Sequence, residues 1–136
     1  MEICYIFRVL KGTWGISISF KAEFVSFNPT YMETTLASNK IQIIFNQKVK
    51  LSQEEKNLII KGIQEYETLI VERSKSDKIT GIQINEITFN ETDFQKESLY
   101  FTSIGWVCKA LNLKEPEFSV FFDNQKNKYI IEKVEK

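Results

Sequence analysis

The apolar residues of this chain change period several times, and each change marks an element. From Ile3 to Leu10 both faces are apolar, with Ile3, Tyr5, Phe7 and Val9 against Cys4, Ile6 and Leu10, which predicts a central strand. After the turn Lys11-Gly12-Thr13, the residues Trp14, Ile16, Ile18, Phe20, Ala22 and Phe24 alternate with Gly15, Ser17, Ser19, Lys21 and Glu23. That is period two, one dry face and one wet face, and the short connection predicts an antiparallel hairpin. Ser26 to Asn39 has no period, and its Asn28-Pro29 pair is biased away from helix. Lys40 to Asn46 alternates again through Ile41, Ile43 and Phe45, giving a third strand.

Ser52-Gln53-Glu54-Glu55 has the form of a capping box and predicts a helix start. Ile59, Ile63, Tyr66 and Ile70 then recur at helical spacing, with Leu58, Ile60 and Leu69 widening the stripe. The polar run Arg73 to Lys78 ends that helix. Ile79 to Phe89 is a strand with a phase defect: Ile82 and Ile84 point one way, Ile87 and Phe89 the other, and Asn85-Glu86 lies between. A β-bulge and burial on both faces each account for it.

Thr92-Asp93-Phe94-Gln95 resembles a second capping box and opens a helix from Thr92 to Leu113. On a wheel of about 100° per residue, Phe94, Leu99, Phe101, Ile104, Trp106, Val107, Cys108, Ala110 and Leu111 cover most of the circumference. Gln95, Ser98, Thr102, Gly105, Lys109 and Asn112 form the remaining polar strip. Such a helix belongs inside a larger body. Pro116 blocks its continuation, and strands at Phe118–Phe122 and Tyr129–Val134 flank a polar turn. The order β-β-β-α-β-α-β-β predicts a single α+β domain over residues 1–136, with two helices packed on one face of a largely antiparallel sheet.

Composition supports a real core, since 43% of the 136 residues are hydrophobic and 13% aromatic. Eighteen basic residues balance eighteen acidic ones, so the basic excess usual in nucleic-acid binders is missing. Cys4 and Cys108 sit among apolar neighbours and read as small core residues. The N-terminal stretch lacks the basic region and cleavage site of a signal peptide, and no apolar run approaches the ~18 residues of a membrane span. The expectation is a reduced, cytoplasmic, soluble protein that does not engage a membrane.

The chain contains no histidine, which excludes histidine-activated nucleophiles and histidine zinc sites. Its five glycines form no phosphate-cradling motif. No cofactor or metal is implied. The densest polar cluster is Asn85, Glu86, Asn90, Glu91 and Asp93, at a strand end and a helix start. Asn90, Thr92 and Asp93 read as turn and cap residues. Glu86 faces solvent past a bulge or sits in a pocket as a functional acid, and with Asn85 and Asp93 it forms the candidate ligand set. Asn90-Glu91-Thr92 matches a glycosylation acceptor, which has no meaning without secretion. Trp14 opens an apolar strand face. Tyr31, Met32, Thr34 and Lys40 lie in or beside the aperiodic segment and are the candidate interaction residues, because long irregular loops often carry contacts. Lys126, Lys128, Lys133 and Lys136, interleaved with Glu132 and Glu135, read as a charge-protected edge.

The run from Leu58 to Leu111, through Lys61-Gly62-Ile63-Gln64-Glu65 and the strand Gly81 to Phe89, resembles the fourth domain of translation elongation factor G, which has the ribosomal protein S5 domain 2-like fold. The resemblance implies a βαβα core. The family's Asp-Gly-Ser-Tyr-His stretch is absent, and no functional residue carries over.

Taken together, these readings predict a small non-catalytic protein-binding module. An inhibitor or immunity-type protein acting through the loop and an exposed sheet edge, or a homodimer through that edge, is its concrete form. The competing classes are a small-ligand binder or enzyme around Glu86 and Asp93, and a ribosome- or RNA-associated protein. The last would need Lys40, Lys75, Lys78 and Lys126 on one face.

Overall fold

Alternation builds the sheet and an all-round apolar helix fills the space beneath it. The computed structural model describes residues 2–11, 14–26, 35–38, 41–74, 80–89, 95–123, 125–126 and 128–133. Along the chain the elements are β1 (Ile3–Lys11), β2 (Trp14–Ser26), β3 (Thr35–Ser38), β4 (Ile41–Phe45), α1 (Gln53–Gln64), α2 (Glu67–Ser74), β5 (Thr80–Phe89), α3 (Ser98–Ala110), β6 (Phe118–Asp123) and β7 (Lys128–Lys133). The fold is α+β. Five strands form one sheet in the order β1-β2-β5-β4-β3, antiparallel except for the β4–β5 pair, which α1 and α2 join as a crossover. β6 and β7 form a separate antiparallel pair.

One sheet face is dry. Phe7 and Val9 on β1, Ile16, Ile18, Phe20 and Ala22 on β2, Ile82 and Ile84 on β5, and Ile41 and Ile43 on β4 are all buried there. The phase defect of β5 is a bulge. Lys21 pairs with Glu86 and Ala22 with Ile84, so Asn85 is the extra residue. The insertion restores the alternation, and Ile87 and Phe89 pair with Phe20 and Ile18 on the core side.

α3 is enclosed on several sides. Leu99, Ile104, Trp106, Val107 and Cys108 have no exposed surface, and neither do the polar Ser98, Thr102 and Ser103. Two of these hydroxyls turn back on the helix: Thr102 Oγ1 donates to Ser98 O at 2.7 Å and Ser103 Oγ to Tyr100 O at 2.8 Å, whereas the buried Ser98 Oγ has no hydrogen-bond partner among the described residues. Trp106 stacks obliquely on Phe20 and Phe24, and its indole N–H donates to Ile3 O at 3.0 Å. Phe101 meets Phe7 of β1 and Phe118 of β6. α1 lies against the remaining side, with Ile59 and Ile63 fully buried.

Several boundaries differ from the sequence expectations. β1 is an edge strand rather than a central one: its second apolar set is only half-buried at Cys4 and 50% exposed at Ile6. The aperiodic segment contains β3, whose pairing with β4 needs no periodicity of its own. The first helix does begin at the Ser52 capping box, with Ser52 and Glu55 each accepting from the other's amide. It breaks at Glu65–Tyr66, where Tyr66 N donates to Ile63 O, and the shifted phase leaves Leu69 exposed. α3 begins at Ser98, not Thr92. The turn before it supplies Gln95 O and Lys96 O to the first two helix amides, and no side chain caps them. Residues 92–94 lie outside the described residues, as does the side chain of Trp14. The two cysteines are free: Cys4 turns to Ser19 on the wet face, whereas Cys108 is buried on α3.

Two glycines permit this packing. A methyl group on Gly62 of α1 would overlap the Ser103 hydroxyl and lie 2.7 Å from the Tyr100 carbonyl, and one on Gly105 of α3 would overlap the Tyr5 ring. Alanine normally stabilises a helix interior by about 1 kcal/mol over glycine. Here Gly62→Ala and Gly105→Ala are expected to reverse that sign and destabilise by about 1–3 kcal/mol through overpacking, as read by urea unfolding.

Candidate functional site

The bulge in β5 brings Asn85 and Glu86 onto the wet face of the sheet, beside Lys21. Asn85 Nδ2 donates to Glu2 Oε2 at 2.8 Å, and Asn85 Oδ1 accepts from Gln83 Nε2 at 3.0 Å. Glu86 Oε2 lies 3.6 Å from Lys21 Nζ, and its other oxygen accepts from Thr88 Oγ1 at 3.3 Å. The Glu86 side chain is 53% exposed, so the ion pair is screened by water. This is a cross-strand pair on an open face, the solvent-facing reading of Glu86. Asp93, the third member of that candidate set, lies outside the described residues. So do Tyr31, Met32, Thr34 and Lys40, the candidate interaction residues. Among the described residues no group of three or more histidine, cysteine, aspartate or glutamate side chains is placed to hold a metal. No described helix is long and apolar enough to cross a membrane.

β1 forms a second candidate surface. It is nine residues long, and among the described residues no strand pairs along its outer side. Lys109 Nζ donates to Cys4 O at 2.6 Å, which occupies the start of that side. Ile6 and Arg8 follow, both exposed, on the sheet face away from the helices. Sequence reasoning missed this surface because a doubly apolar strand reads as central. The arginine between Phe7 and Val9 was the available signal that one face meets water.

A cleft lies where α3 ends. The helix stops in a Schellman arrangement: Asn112 takes a left-handed φ of 56°, Leu113 N donates to Cys108 O at 2.7 Å and Asn112 N to Lys109 O at 3.2 Å. Asparagine tolerates that conformation better than most side chains. Tyr5, Cys108, Lys109, Asn112, Leu113 and Glu115 line a cavity of about 290 Å³ beside this turn. The Tyr5 hydroxyl donates to Glu115 Oε1. Burial, then the adjacent Glu115 carboxylate, holds the Tyr5 phenol in its neutral form well above the usual tyrosine range. Tyr66, between α1 and α2, is shifted the same way by burial and by its hydrogen bond to Cys108.

Comparison of the chain with known protein families, with curated proteins and with solved structures returns no match.

The raised phenols set an alkaline limit. An unfolded tyrosine releases its proton near pH 10 whereas Tyr5 and Tyr66 hold theirs, so folded-state stability is full below that pH and falls as pH rises above it. Urea midpoints measured from about pH 9 to about pH 11 are expected to decline, and Tyr5→Phe to flatten the decline. Glu86→Gln, by contrast, is expected to change stability by less than about 1 kcal/mol at neutral pH, the usual scale of an exposed pair.

Proposed function

We propose that this protein is a non-catalytic protein-binding module that takes a partner along the outer side of β1. The observation that carries the reading is Ile6, 50% exposed in the middle of an edge strand that no strand of the sheet covers. Edge strands offer a row of backbone donors and acceptors, and soluble proteins usually guard them with charge, proline or a bulge. On β1 the guards are Arg8 and the Lys109 bond to Cys4 O, one to each side of Ile6, which itself carries neither charge nor a covering strand among the described residues. A partner strand added there would find backbone bonds for affinity and the side chains of Ile6 and Arg8 for selection. The aperiodic segment 26–39 is the proposed second contact, through Tyr31, Met32, Thr34 and Lys40. An inhibitor or immunity-type protein that blocks its partner is the concrete form. The same reading places the protein in a reducing compartment, the cytoplasm, consistent with its two unlinked thiols.

The test compares wild type with Ile6→Asp, Arg8→Glu and a deletion of residues 30–38 in affinity capture from native lysate, read by mass spectrometry. Ile6→Asp is expected to lose the captured partner while its melting temperature moves by no more than about 2 °C, because the side chain is already in water. Retention of the same partner by both Ile6→Asp and the deletion would refute the proposed contacts. A second copy on the same edge would instead appear as a concentration-dependent dimer in sedimentation, abolished by Ile6→Asp.

A further inference from the structure

The cleft at the end of α3 borders the start of β1, with Tyr5 and Lys109 in its lining, and has a chemistry of its own. Its two charged residues, Lys109 and Glu115, have opposite signs and line one cavity, yet they form no ion pair with each other. Each is instead steadied by an uncharged neighbour. Lys109 spends one N–H on Cys4 O, leaving two, and Glu115 accepts the Tyr5 hydroxyl on Oε1, leaving Oε2. The rest of the lining includes Tyr5 and Leu113, both half-buried, and the fully buried Cys108. The left-handed turn at Asn112 fixes the wall that carries Leu113, and the Asn112 amide stands exposed at the rim.

We propose that this cleft binds a small zwitterion of the α-amino acid type, with its carboxylate on Lys109 and its ammonium on Glu115. A simple anion would be drawn to Lys109 but repelled by Glu115, and a simple cation would meet the reverse. A molecule that carries both charges satisfies both and gains two charge-assisted hydrogen bonds. The cleft, open to solvent and of about 290 Å³, lies just below the usual range of ligand sites, about 300 to about 1,000 Å³, which suits an amino acid better than a nucleotide. The apolar floor receives a side chain. Because both charged groups are exposed, the affinity is modest, with a Kd in the millimolar range.

Isotope-edited NMR tests this on the intact protein, following the Asn112 side-chain amide and the Leu113 methyl groups. The probes are glycine and leucine, together with isoamylamine and 4-methylpentanoate, which are leucine without its carboxylate and without its ammonium. Glycine or leucine is expected to give saturable shifts at those groups, and each singly charged analogue to bind about tenfold more weakly or worse. Lys109→Gln and Glu115→Gln are each expected to weaken binding of the zwitterion by about tenfold, and Lys109→Arg to retain most of it. Both positions are exposed, and near-ultraviolet circular dichroism confirms that the variants fold. The proposal is overturned if neither amino acid gives a saturable shift at the cleft, if leucine binds no better than its two analogues, or if the glutamine variants bind as wild type does.

Discussion

Enclosing α3 is the constraint from which the rest of the arrangement follows. A helix apolar around most of its circumference cannot rest on a surface; it needs a wall on each side. The β1–β2 hairpin supplies one wall, α1 a second and the Phe118 end of β6 a third. Among the described residues Trp106 is the largest fully buried side chain, and it ties the helix to the hairpin by ring contacts with Phe20 and Phe24 and by its N–H bond to Ile3 O. A buried indole without that acceptor would leave a donor unsatisfied, so the bond fixes rotation as well as position. Close walls also explain why glycine stands at both tight crossings, Gly62 and Gly105, and why the polar residues inside carry small hydroxyls, of which Thr102 and Ser103 bond to their own helix.

With the interior committed to packing, the surfaces that the described residues present to other molecules include three margins: the outer side of β1, the wet face of the sheet and the cleft after α3. These differ in kind. The wet face carries cross-strand polar pairs that satisfy one another, as Glu86 does with Lys21 and Thr88. The outer side of β1 presents an apolar side chain to water, and burying apolar area is the general source of association energy. The cleft holds separated charges.

Much of the architecture was legible in the sequence because periodicity is a local property. The alternation from Trp14 to Phe24 located β2, the spacing of Ile59 and Ile63 located the buried stripe of α1, and the Ser52 box located its start. The composition of α3 announced its own enclosure, and Asn85-Glu86 marked the bulge. What could not be read depended on partners distant in the chain. Whether β1 is central or marginal is decided by what pairs with it, not by its own residues. The break at Tyr66 owes nothing to glycine or proline, and its side chain reaches Cys108, more than a helix away. The cleft was invisible for the same reason: Tyr5 and Glu115 are 110 positions apart. Of the candidate site residues, Asn85 and Glu86 lie on one face because of the bulge, which the sequence left open against burial on both faces.

The Ile3–Trp106 bond spans 103 positions, and that separation has a consequence for biosynthesis. A ribosome delivers the β1–β2 hairpin long before it delivers the helix that covers it. Until then Ile16, Ile18 and Phe20 form an uncovered apolar strip on the nascent chain, next to an open edge. Long-range closure of this kind slows folding and lengthens the interval in which such a strip can meet another nascent chain or a chaperone. The last third of the polypeptide thus acts as the cap on work begun by the first.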